Sequence, residues 1–86
     1  MKIKENFIAK HVLDNDVVID ITGSSKNILK LNPTASLMFE KLKEGISSED
    51  LVKVILDNYD VDQKTAENDV NKFIEELNKL NVLEND

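Results

Sequence analysis

The sequence predicts an α+β fold in which three strands precede three helices. Three observations carry that reading. The first third holds β-branched runs broken by polar turns, the apolar spacing turns helical at Asn32-Pro33, and two further caps follow at Ser47 and Asp62. The first strand is Phe7-Ile8-Ala9-Lys10-His11-Val12-Leu13, and the turn Asp14-Asn15-Asp16 leads into Val17-Val18-Ile19-Asp20-Ile21-Thr22. Enrichment in Val and Ile on both sides of turn residues marks a hairpin. Gly23-Ser24-Ser25-Lys26 turns the chain again, and Asn27-Ile28-Leu29-Lys30-Leu31 forms a short third strand.

Asn32 caps the first helix and Pro33 occupies its first turn, where the missing N–H costs no hydrogen bond. Ala35, Met38, Phe39 and Leu42 share one face, and Gly45 closes the helix. Ser47 and Asp50 have capping-box spacing at the start of the second helix, which carries Leu51, Val54, Ile55 and Tyr59. Asp62 caps the third, with Ala66, Val70, Phe73, Leu77 and Leu80 on one stripe and Ile74 on its shoulder. A single domain over residues 1–86, with its core at about 7–83, accounts for the whole chain. At this length about 64% of the extended chain's surface can be buried, enough for a core without staples.

Composition narrows the function. There is no cysteine, so disulfides and thiolate metal sites are excluded. All eleven basic residues are lysine against seventeen acids, for a net charge of −6. That sign opposes binding to nucleic acid or to an anionic membrane, and without arginine there is no bidentate guanidinium contact. No apolar run reaches signal-peptide or membrane-span length, so the expectation is a cytoplasmic protein.

Catalytic constellations are not legible. The single histidine, His11, lies in the first strand with no serine paired to it by sequence, and Ser24 and Ser25 belong to a turn. The acidic stretch Asp57 to Asp62 fails as a calcium loop: Tyr59 or Lys64 falls where an oxygen ligand is needed, and Asn68 or Asn71 where a glutamate is needed. Glu75 and Glu76 splay about 100° apart on a helix, among Lys72 and Lys79, as a solvated face does. No cofactor, metal or catalytic residue is expected, and binding is preferred to catalysis. The third strand, ending just before a capped helix, falls at a sheet edge. Such edges are either protected or used to recruit another strand, and Lys26 and Lys30 fit both readings.

The segment Leu31-Asn32-Pro33-Thr34-Ala35-Ser36-Leu37-Met38-Phe39 through Gly45, with Ser47-Ser48-Glu49-Asp50-Leu51 after it, resembles the signature of the PqqD-like family. Tyr59, Asp69-Val70, Phe73, Leu77, Leu80, Val82 and Leu83 fit its spacing, so the resemblance runs from about Phe7 to Leu83. Ser36 stands where that family often has glycine, Phe39 where tryptophan is frequent, and Asn81 where glycine often precedes the last apolar pair. The resemblance implies a winged-helix-like domain with a three-stranded antiparallel sheet. It further implies a non-catalytic element that binds the leader of a ribosomally made precursor peptide. The partner enzyme would be a radical S-adenosylmethionine protein or a leader peptidase. Carried onto this chain, Asn27, Ile28, Leu29 and Lys30 would pair with the leader. Val70, Ile74 and Leu77 would give apolar pockets, with Asn71 and Asn78 on their polar margin; for Val70 and Leu77 plain core packing is the competing reading. A DNA-binding winged helix and an adaptor that binds only the enzyme are the rival functions, and the bare edge allows a monomer or an edge-paired homodimer.

Overall fold

A computed structural model describes residues 1–24 and 29–84. Strands β1 (Phe7–Val12), β2 (Asn15–Asp20) and β3 (Leu29–Leu31) form an antiparallel sheet in that order, followed by helices α1 (Pro33–Glu44), α2 (Ser48–Asn58) and α3 (Gln63–Lys79). Asn27 and Ile28, expected in the third strand, lie outside the described residues.

The hairpin differs from the expectation in its turn. Val12 pairs with Asn15, so the turn is Leu13-Asp14, and Asn15 and Asp16 already belong to β2. Leu13 has φ +56°, the left-handed conformation that the first central residue of a tight hairpin turn adopts and that glycine normally supplies. An apolar residue there extends the strand pattern, which is why the polar triplet reads as the turn.

All three cap signals hold because they are local. The Asn32 side chain accepts from the Ala35 N–H at 2.8 Å, Ser47 from Asp50 at 3.1 Å, and Asp62 from Thr65 at 2.8 Å. Gly45 ends α1 at φ +96°, its N–H donating to Lys41 and Leu42 carbonyls. After α3, Asn81 takes φ +60°, the conformation that explains why glycine suits this position; asparagine tolerates it better than most residues.

The helices cover one face of the sheet. Pairing fixes which side chains point there: Phe7 with Asp20, Ala9 with Val18 and Leu29, and His11 with Asp16 and Leu31. Phe7, Val18 and Leu31 are buried with Met38, Phe39 and Leu42 of α1, Leu51 and Ile55 of α2, and Ala66, Val70, Phe73 and Leu77 of α3. Each large side chain so buried contributes about 1.5–3 kcal/mol relative to exposure. Ile3, ahead of the predicted core, is also buried; it bridges Leu83, and its N–H donates to the Leu42 carbonyl at 3.0 Å. A two-residue bridge has no periodicity to announce it.

Candidate groove between the third strand and the third helix

β3 is an edge strand: β2 pairs with one side of it, and no strand among the described residues pairs with the other. Pro33 starts α1 two residues beyond Leu31, so the chain leaves the sheet at once and the edge stays short. Residues of β3, α1 and α3 together line a groove of about 260 Å³. Met38, Ala35 and Phe73 supply its apolar floor, with Lys30 on the strand side and Asp69, Lys72 and Glu76 on the helix side. Asp69, Lys72, Phe73 and Glu76 recur at three- and four-residue spacing and therefore make one stripe of α3. Phe73 is 5% exposed and belongs to core and groove at once. The four rim charges, two of each sign, enter no ion pair among the described residues.

The helix margin expected from sequence lies on the other side of this stripe. Asn71 lines a different groove, of about 490 Å³, with Val52, Lys53 and Leu56 of α2 and Gln63 and Glu67 of α3. Ile74 and Asn78 lie three and seven residues further on, along the same side as Asn71. Ile74 is half-buried against the core and Asn78 is exposed, and none of the three lines the β3 groove. Val70 and Leu77 have no exposed surface and pack as core side chains. Of the predicted positions, Leu29 and Lys30 lie on β3, with Leu29 half-buried against the core and Lys30 exposed on the groove. Asp69, Lys72 and Glu76, on a helix charged at so many positions, read as solvated in the sequence, whereas the structure places them along the β3 groove.

Beyond the groove, His11 Nδ1 meets Asp16 Oδ1 at 2.7 Å, while Ser36 donates its hydroxyl to Asp16 Oδ2 at 2.8 Å. The hydrogen bond from His11, and then that from Ser36, holds the Asp16 carboxyl below its usual range. An ionised carboxylate only accepts, so Nδ1 carries the hydrogen. The serine addresses the carboxylate rather than the imidazole, which is not the arrangement that activates a serine nucleophile. The network instead joins β1, β2 and α1. Among the described residues no three His, Asp or Glu side chains are grouped to hold a metal ion, and no helix is long and apolar enough to cross a membrane.

Three antiparallel strands followed by three packed helices, with an open strand edge beside the last helix, define an α+β fold built around an accessible sheet edge. The family model for coenzyme PQQ synthesis protein D (PqqD) matches residues 11–83, and the chain belongs to that family. Among solved structures, the chain is similar to one described as TbiB1 in complex with the TbiA(β) leader peptide. The two share 30% identity at a TM-score of 0.80, covering 100% of this chain and 98% of that one. A second, described as lasso peptide synthetase B1 complexed with the leader peptide, matches at 24% identity and a TM-score of 0.75, over 91% of this chain and 89% of that one, and shows the fold alone. A search of curated proteins returned no match.

Proposed function

We propose that this chain binds the leader segment of a ribosomally synthesised precursor peptide and presents the attached core peptide to a separate modifying enzyme or leader peptidase, itself performing no chemistry. The observation that carries the reading is the bare edge of β3 set beside the apolar-floored groove of α3. An extended peptide laid on that edge gains main-chain hydrogen bonds, and every second side chain reaches the groove. Phe73 and Met38 give such a side chain an apolar seat, and Lys72, Asp69 and Glu76 read the charges that flank it. Size favours the groove between α2 and α3, but that groove borders no strand and offers an extended peptide no ladder. Support also comes from the neighbour at 30% identity, which was solved with a leader peptide. Holding the leader raises the effective concentration of the core peptide at the enzyme.

The test is fluorescence anisotropy with a labelled synthetic leader of the cognate precursor peptide. The same peptide, N-methylated at alternate residues in its two registers, probes the ladder. Saturable binding lost in one methylated register and kept in the other is expected. Equal binding by all three peptides would contradict strand addition.

A further inference from the structure

The sheet has a second face, turned away from the helices. Cross-strand partners share a face, so the residues between the buried pairs point outward: Ile8 with Ile19, Lys10 with Val17 and Lys30, and Val12 with Asn15. Ile8, Val17 and Ile19 are only half-buried and none packs against the core. Val12 is 44% exposed, and Ile21, just beyond β2, is 61% exposed. An antiparallel sheet with one face in water alternates apolar and polar residues. Here β2 reads Val17-Val18-Ile19, apolar on both sides, as strands covered on both faces do.

Charge narrows what covers it. The whole chain carries −6, yet the outward positions of the three strands hold two lysines and no acid. A second copy laid on the same face would bring Lys10 and Lys30 of one protomer against an equally cationic surface. A partner with an apolar patch edged by aspartate or glutamate satisfies both features.

We infer that the outer face of the sheet, centred on Ile8, Val17 and Ile19 and flanked by Lys10 and Lys30, docks the enzyme that receives the peptide, through an acid-rimmed apolar patch on that enzyme. The identity of the partner rests on the leader-presenting role above; the existence of the docking face does not. A leader strand added to β3 widens this same face, and its outward side chains then join the surface the enzyme meets. Enzyme and leader therefore strengthen one another's binding, by the same factor in each direction.

The experiment uses the purified full chain, the cognate peptide-modifying enzyme, and the synthetic leader. Lys10→Glu changes an exposed charge, and Ile19→Thr keeps a β-branched residue in the strand. Each variant is checked by circular dichroism and titrated separately with leader and with enzyme. The expected result is enzyme affinity weakened about tenfold or more in both variants, a loss of about 1.4 kcal/mol, with leader affinity within about twofold of wild type. Unchanged enzyme affinity in folded variants would overturn the docking face, as would failure of the wild type to bind the enzyme. Sedimentation showing a wild-type dimer that either variant dissociates would assign the face to self-association instead. Loss of leader binding by the wild type, with enzyme binding intact, would strike the leader proposal and leave this one standing.

Discussion

Ser36 on α1 donates a 2.8 Å hydrogen bond to the far oxygen of Asp16, whose near oxygen already receives His11. Asp16 also lies opposite Leu31 in the register of β2 with β3, so one residue connects the hairpin and the helix that follows β3 through its carboxylate, and the strand that borders the groove through its backbone. Ser36→Ala removes a single donor and leaves the His11 contact in place. The expected result is a lower melting temperature and an Asp16 carboxyl that titrates closer to its ordinary value. Carboxyl-detected NMR titration of both proteins measures it.

Acid should weaken the fold through Asp62 as well. The Thr65 N–H, and then its hydroxyl, hold the Asp62 carboxyl below its ordinary value of 3.8. A carboxyl depressed in the folded state adds stability above the unfolded value, and that contribution is lost as pH falls through the folded value. Stability therefore declines on the acid side of about pH 4. Asp62→Asn preserves a good cap but cannot titrate, so its melting temperature should fall less steeply in that range.

The hairpin turn predicts a gain. Leu13 is 87% exposed and sits at φ +56°, so it buries little and occupies a conformation that costs an L-residue about 1–2 kcal/mol. Leu13→Gly should raise unfolding stability by about 1 kcal/mol, less the entropy glycine restores to the unfolded chain. At Asn81, φ +60°, a β-branched substitution should do the reverse, and Asn81→Val is expected to cost about 1–2 kcal/mol. Urea denaturation of the two variants checks both signs.

Much of the fold is legible because it is encoded locally. Asn32, Ser47, Asp62 and Gly45 announce helix ends through side-chain chemistry acting over three or four residues. The margin of α3 that lines the β3 groove is not encoded that way. Periodicity identifies the stripe of Ala66, Val70, Phe73 and Leu77, which has two margins, one with Asn71, Ile74 and Asn78 and the other with Asp69, Lys72 and Glu76. Which margin meets β3 depends on how α3 crosses the sheet, a tertiary fact with no residue pattern of its own. The turn at Leu13 and the bridge of Ile3 to Leu83 escape notice for a related reason, since each is set by pairing across the chain.

Core and groove roles separate by mutation. Leu77 is fully buried, so Leu77→Ala should cost about 2–5 kcal/mol in chemical denaturation. Lys72→Glu, at an exposed groove position, should leave stability within about 0.5 kcal/mol. It should nonetheless change leader affinity about tenfold, a difference of about 1.4 kcal/mol. Asn71→Ala on the other margin should alter neither.

The most direct test of leader recognition is an amide-resolved NMR titration of the full chain with the synthetic leader. Strand addition at β3 predicts saturable shifts at Leu29, Lys30 and Leu31 together with Asp69, Lys72, Phe73 and Glu76. Saturable shifts centred instead on Val52, Lys53, Leu56 and Asn71, with β3 silent, would contradict it.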